Sequence, residues 1–245
     1  MKLIILGSGT CVPSLKRSAP ANFLKILNNN ILVDCGSGAL HQLIKVGLSY
    51  KDIDFVFITH FHTDHICELN ALIHALSQTP GYDRKKDLVL VGPTGFKEYY
   101  DQKIGQKPRP NTYHIKIREI KKKMKFNGFT VEAEKTIHSD ESIAYKFTEK
   151  NKILTISGDC DFDNNLITFS KNSNLLLIEC SFPNDMKRAG HLIPSECGEI
   201  AKQAKVKKLV LTHLYPTSPE IIRLNQTKKI FKNTILAEDL LTINI

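Results

Sequence analysis

The chain has 245 residues, 42% hydrophobic and 24% charged, which excludes disordered, collagen-like and coiled-coil proteins and leaves room for a core without covalent staples. Lys and Arg outnumber Asp and Glu by 34 to 25, so the net charge is +9 and the pI near 9.2, a balance that favours anionic partners. Six cysteines, at 11, 35, 67, 160, 180 and 197, form no C-x-x-C pair and read as reduced, mostly buried thiols of the cytoplasm. The four apolar residues before Gly7 are too few for a signal peptide, and no stretch approaches the roughly 18 apolar residues that span a membrane.

In chain order, short apolar runs mark the strands: LIIL at 3–6, ILV at 31–33, FVFI at 55–58 and LVLV at 88–91. They continue as ILTIS at 153–157, LLLIE at 175–179 and LVLT at 209–212. Unbroken Val/Ile/Leu runs of this length suit strands covered on both faces. Between 115 and 148, IKIREI, FTVEAEKTI and IAYKF read as strands joined by tight turns such as Asn127-Gly128. Helices are expected at 39–46, 66–77, 95–104, 195–204 and 219–232, the last with Ser218 as N-cap and Pro219 as its first residue. The alternation implies sheets layered with helices, an α/β fold. The two halves meet near 148–152 without a flexible linker, so one domain over residues 1–245 is expected.

The chemistry concentrates directly after FVFIT, in His60-Phe61-His62-Thr63-Asp64-His65. Three imidazoles and a carboxylate at a strand-to-helix junction converge on a small volume and suit Zn²⁺, Mn²⁺ or Fe. One loop cannot complete two metal shells. His138 after FTVEAEKTI, Asp159 after ILTISG and His213 after LVLT supply further candidates, each just beyond a strand. Gly7-Ser8-Gly9 lacks the third glycine of a dinucleotide fingerprint, and Pro13 obstructs the helix that fingerprint needs. The Lys121–Lys125 run reads as a solvated turn, and His41, His74 and His114 lie outside every motif.

Taken together, LGSGTCVPSLKRS at 6–18, LVDCGSG at 32–38, HFHTDH at 60–65, VGPTGF at 91–96 and SGD at 157–159 resemble the metallo-β-lactamase superfamily. With His138, ECSF at 179–182, GHLIPSE at 190–196 and LTHLYP at 211–216, the match extends over nearly the whole chain. Within that superfamily it is similar to the ribonuclease Z-like branch of phosphodiesterases. The resemblance implies a single-domain, four-layer αββα sandwich with two divalent metal ions, zinc first and Mn or Fe as alternatives, at one edge of the paired sheets.

Residue by residue, the resemblance implies one metal held by His60, His62 and His138, a second by Asp64, His65 and His213, and Asp159 bridging them. Asp64 would also orient or deprotonate the attacking water. His191, oriented by Glu179, would protonate the leaving group. Ribonucleases Z usually carry Glu-Ala-Thr and His-Ser-Thr where this chain has Glu179-Cys180-Ser181 and His191-Leu192-Ile193. Asp34 is expected behind the metal ligands or as a cap of the turn to Gly36, and Lys16 and Arg17 beside the substrate. His65 argues against a β-lactamase, which lacks the second-site histidine.

The implied activity is metal-dependent hydrolysis of a phosphodiester, as in an endoribonuclease of the ribonuclease Z type acting in tRNA processing. The alternatives are a phosphodiesterase for small cyclic phosphates or nucleotides, and a thioester or lactone hydrolase of the same fold. Ribonucleases Z that trim transfer RNA grip it with an arm between the third and fourth ligand motifs. Here only 20 residues separate His138 from Asp159, too few for such an arm. Dimers occur among the proteins this chain resembles, so a homodimer stands beside the monomer as an expectation.

Overall fold

The computed structural model describes residues 1–105 and 110–245. Among the described residues, fourteen strands form two seven-stranded mixed sheets. The first-sheet strands are β1 (Lys2–Gly7), β2 (Ala21–Ile26), β3 (Asn29–Cys35), β4 (Phe55–Phe57), β5 (Leu88–Gly92) and β6 (Ile115–Glu119). The second holds β7 (Lys123–Phe126), β8 (Phe129–Lys135), β9 (Ile143–Glu149), β10 (Lys152–Ile156), β11 (Leu175–Glu179), β12 (Leu209–Thr212) and β13 (Thr234–Leu236). The last strand, β14 (Thr242–Asn244), returns to the first sheet and pairs antiparallel with β1. The sheet orders are β14-β1-β2-β3-β4-β5-β6 and β13-β12-β11-β10-β9-β8-β7.

Each sheet begins as an antiparallel meander and ends as a parallel array. β3 through β6 run parallel in one, and β10 through β13 in the other. The parallel strands are joined by α1 (Ala39–Lys45), α2 (Thr63–Ile66), α3 (Leu69–Gln78) and α4 (Phe96–Tyr99) over the first sheet. Over the second lie α5 (Asn164–Phe169), α6 (Pro194–Gln203) and α7 (Glu220–Lys228).

The apolar runs show why these layers stack. In β1, Leu3 and Ile5 face the second sheet while Ile4 and Leu6 face the helices, so every position of LIIL is buried. The central layer joins both sheets through Phe57, Val91, Val131, Tyr145, Phe147 and Val210, among others. Separate apolar clusters sit beneath the helices of each outer layer, giving the αββα sandwich. β8 instead alternates buried with half-buried residues, the pattern of a strand covered mainly on one face.

Several sequence expectations shift. The helix expected at 219–232 spans Glu220–Lys228, with Pro219 rather than Ser218 in the capping position; the Ser218 hydroxyl is buried and makes no hydrogen bond among the described residues. The helix expected at 66–77 divides into α2 and α3, and that at 95–104 runs from α4 into a π-helical turn over Tyr100–Ile104. Lys121–Lys125 is only partly a turn, because Lys123–Phe126 forms an edge strand whose lysines point to solvent. β2, β13, β14 and α5 carry no long apolar run and were not expected. Residues 148–152 form the hairpin between β9 and β10, inside one sheet. The chain changes sheets earlier, between β6 and β7. Among the described residues, no helix is long and apolar enough to cross a membrane.

Candidate metal centre

The HFHTDH segment leaves the sandwich where β4 ends. Its base is fixed from both sheets: the buried Tyr145 hydroxyl donates to the Ile58 carbonyl (2.8 Å), and the Ile143 amide donates to the Thr59 carbonyl (3.1 Å). Asp34, near the end of β3, accepts from the Thr59 amide (2.8 Å) and hydroxyl (3.0 Å) and pairs with His65 Nδ1 (2.8 Å). Of the two readings open for Asp34, support behind the histidine loop is the one the contacts match. Its φ of 60° is a left-handed conformation, uncommon outside glycine but more accessible to Asp and His than to most residues. Gly36 lets the same turn pass close by, since a Cβ there would meet the Asp64 carbonyl oxygen at 1.9 Å.

The remaining candidates come from the second sheet. His138 follows β8, Asp159 follows β10 across Gly158 (φ 60°), and His213 follows β12 with φ 56°. All are brought to the same edge as the HFHTDH loop. One group comprises His60, His62, His138 and Asp159; another Asp64, His65 and His213; each offers ligand atoms within 4.8 Å of one another. Asp159 borders both: its carboxylate lies 3.9 Å from His60 Nε2 and 3.6 Å from His138 Nε2, and 3.3 Å from His65 Nε2 and 3.4 Å from His213 Nε2.

Two observations fit these groups to cations. Nε2 of His65 and of His213 is buried, faces carboxylate oxygens, and makes no hydrogen bond among the described residues. Orphaned buried nitrogens of this kind are costly unless a ligand completes them. In addition, Nδ1 is already engaged on His60 (Thr59 Oγ1, 3.0 Å), His65 (Asp34), His138 (Gly190 carbonyl, 2.8 Å) and His213 (Ser181 Oγ, 2.9 Å), which turns each Nε2 to the centre.

The electrostatics separate these residues. Burial, reinforced by the neighbouring His65, keeps His60 neutral far below its ordinary range, and burial beside His138 lowers His62. Burial would raise Asp159, but His213 and His65 outweigh it and hold its carboxyl well below the usual range. Asp64 is likewise lowered: burial opposes ionisation, and the neighbouring His213 and His65 imidazoles override it. His65 goes the other way: burial would lower it, but Asp159 and Asp34 outweigh that and raise it well above its ordinary value, so a cation there would displace its proton.

Glu179 and His191 meet beside this cluster. Glu179, the fully buried last residue of β11, pairs with His191 Nδ1 at 2.9 Å. The same carboxylate accepts from the Cys160 amide (2.8 Å), the Leu192 amide (3.2 Å) and the Ser181 hydroxyl (2.6 Å). Burial would lower His191, but the Glu179 hydrogen bond and charge prevail and raise it above its ordinary value. Lys187 holds the preceding loop through Asp161 (2.5 Å), Glu196 (2.6 Å) and the His191 carbonyl (2.7 Å). Pro194 then starts α6, with Glu196 accepting from the Ile193 amide (3.1 Å). His191 offers a ligand atom within 4.8 Å of those of Asp159 and His213.

Arg17 lines the cavity that opens next to Asp64, but not as a free cation. Its side chain is 3% exposed and is held by Glu220 (2.6 and 2.7 Å), the Ala237 carbonyl (2.6 Å) and the Ser8 hydroxyl. Lys16 is exposed but pairs with the same Glu220 (2.7 Å). Cys160 lies in the apolar cluster beneath the helices, turned from the cation groups. His41, His74 and His114 are exposed and away from the site. Sequence reading missed Ser181, Thr59 and the Gly190 carbonyl. Only Ser181 had a signal, a hydroxyl two residues after Glu179.

A cavity of about 350 Å³ opens next to Asp64, walled by Thr10, Cys11, Pro13, Ser37 and Thr63. Between His138 and Asp159 the chain forms only a turn, β9, a hairpin and β10.

Comparison with known proteins agrees with this architecture. The chain is 25% identical to the metallo-β-lactamase fold protein YhfI of Bacillus subtilis, with a TM-score of 0.88 and 99% of both chains covered. It is also 25% identical to the short form of human tRNase Z, with a TM-score of 0.85 over 100% of this chain and 99% of that one. A curated ribonuclease Z of Archaeoglobus fulgidus is 27% identical over 310 aligned positions, covering 100% of this chain and 97% of the relative. At least 65 of those positions, 310 less 245, therefore have no counterpart here. The model of the family described as anti-Pycsar protein Apyc1 matches residues 1–234. The chain thus belongs to the anti-Pycsar protein Apyc1 family and is a ribonuclease Z-like, metal-dependent hydrolase of the metallo-β-lactamase fold.

Proposed function

We propose that this protein is a phosphodiesterase working with two divalent cations, zinc in the first instance. His60, His62, His138 and Asp159 would hold one cation, and Asp64, His65, His213 and Asp159 the other. The observation that carries the reading is the meeting of both groups at one carboxylate, with the bare Nε2 atoms of His65 and His213 turned inward. Imidazole-rich sets suit zinc, with Mn²⁺ and Fe²⁺ as competitors. When bound, such a pair supplies positive charge to the phosphoryl oxygens and acidifies a water.

The chain's own groups supply the rest. Asp64, held ionised, orients the attacking water and accepts its proton. His191, its proton affinity raised by Glu179, donates a proton to the departing oxygen. Glu179 fixes that imidazole with Nδ1 as the donor to itself, so that Nε2 carries the transferable proton.

A small phosphodiester, such as a cyclic nucleotide or cyclic phosphate, is the substrate class we favour. The cavity beside Asp64 lies in the range of small-molecule sites, about 300–1,000 Å³. The span from His138 to Asp159 has no protruding arm, and the chain lacks at least 65 positions aligned in its Archaeoglobus relative. The second reading, cleavage of RNA, draws on the relatives named ribonuclease Z and on the net charge of +9. Free cysteines, four of the six buried, suit a reducing cytoplasm for either.

The test is hydrolysis by zinc-reconstituted protein of cyclic mononucleotides, bis(p-nitrophenyl) phosphate and a transfer-RNA precursor with a 3′ trailer, beside an Asp64→Asn control. Turnover of the small diesters with intact precursor is expected. Cleavage of the precursor alone would transfer the assignment to RNA. Activity on none of them, with thioester or lactone turnover instead, would sink the phosphodiester reading.

A further inference from the structure

Ser181 lies where the two chemical units of the site touch. Its side chain is fully buried, and its Oγ is 2.6 Å from Glu179 Oε2, 2.9 Å from His213 Nδ1 and 3.2 Å from His191 Nδ1. A hydroxyl has one hydrogen and two acceptor lone pairs, and an ionised carboxylate can only accept. The Ser181 proton therefore goes to Glu179, and both imidazole contacts must come from N–H donors. That arrangement puts hydrogens on Nδ1 of His213 and of His191, the latter shared with Glu179 Oε1 at 2.9 Å.

The consequence for His213 is specific. With its hydrogen on Nδ1, Nε2 presents a bare lone pair, 3.5 Å from Asp64 Oδ2 and 3.4 Å from Asp159 Oδ2. A lone pair facing two carboxylates is repelled by both unless a metal ion, or a second proton on the ring, lies between them. The same nitrogen is buried and makes no hydrogen bond among the described residues.

We infer that Ser181 is a positioning residue that makes the Glu179 carboxylate serve both units, orienting His191 directly and setting the Nδ1–H tautomer of His213 through the serine hydroxyl. This rests on the proposed cation pair, and it goes further by making cation affinity depend on the carboxylate that serves the proton donor. Supporting contacts of this kind to a ligating histidine change metal affinity by about 10–100-fold. The side chain two residues after Glu179 then needs a hydroxyl, and threonine should substitute for serine.

The experiment measures zinc binding to metal-stripped protein by chelator competition, with ¹⁵N-histidine spectra of the zinc-loaded form reporting the tautomer of His213. Ser181→Ala is expected to weaken the more loosely held zinc about 10–100-fold and to alter the His213 Nδ1 signal, while Ser181→Thr restores both. Thermal unfolding checks that the variants fold. Should alanine disturb the fold, Ser181→Cys keeps the volume with a far weaker acceptor and serves the same comparison. Two zinc ions bound by Ser181→Ala as tightly as by wild type, with the His213 signal unchanged, would overturn the role of Ser181 alone. A wild-type protein that takes up no zinc would instead remove the cation pair on which it rests.

Discussion

The two sheets contribute to the candidate metal centre in opposite ways. The first places His60, His62, Asp64 and His65 on one short segment after β4, so their proximity follows from chain connectivity and a single strand-to-helix turn. The second gives one residue per strand end: His138 after β8, Asp159 after β10, Glu179 closing β11 and His213 after β12. Their convergence depends on strand order and register. β10, β11 and β12 are adjacent and parallel, so the ends of all three emerge on one edge. A local segment keeps its candidate ligands together even when the surrounding packing loosens, whereas the dispersed set exists only when both sheets are in place.

That contrast can be broken most sharply at Asp159, the dispersed residue that borders both groups. Asp159→Ala should lower turnover by about a thousandfold or more, a loss of roughly 4 kcal/mol in transition-state stabilisation, and should reduce cation stoichiometry. Two cations and near-normal kcat in this variant would show that the local segment suffices.

The next effect concerns how the local segment is seated. A Cβ at Gly36 would meet backbone oxygens of Asp64 and Pro20 at 1.9 and 2.8 Å, neither at the tip of a flexible side chain. Gly36→Ala should cost about 3 kcal/mol of stability, read from denaturant unfolding of the metal-free protein. An unchanged midpoint would mean that the loop has room to move and is not clamped by the β3 turn.

The smallest effect lies outside both groups, where Glu220 holds Arg17 and Lys16. Glu220 is pulled down to about 2 from the usual 4.5, chiefly by its hydrogen bond to Arg17. A depressed carboxylate contributes stability that is fully present above its unfolded value and fades as pH falls from about 4.5 towards 2. Glu220 is partly exposed, so Glu220→Gln should cost only about 1–2 kcal/mol at pH 6–7. The deficit relative to wild type should shrink progressively below pH 4.5. A deficit independent of pH would mean that packing, not charge, is lost.

Legibility of the molecule followed the same division. HFHTDH was readable because its residues are neighbours in the chain, and the central strands because runs such as LIIL and LLLIE are buried on both faces. β2, β13 and β14 escaped notice because ANFLKI, TIL and TIN are short or mixed with polar residues and become strands only by pairing with partners already formed. Ser218 looked like a helix cap, yet the chain enters α7 one residue later, leaving its hydroxyl buried and without a hydrogen bond among the described residues.

By itself the sequence determined the kind of donors, the strand ends that carry them and the layered α/β class, since these follow from residue chemistry and hydrophobic patterning. Only the tertiary structure decided that Asp159 stands between two ligand groups and that Ser181 joins His213 to Glu179. It also decided that Arg17 is bound to Glu220 rather than free for a substrate. Those are contacts between residues far apart in the chain, and their geometry is set by sheet register and side-chain packing, which no local pattern encodes.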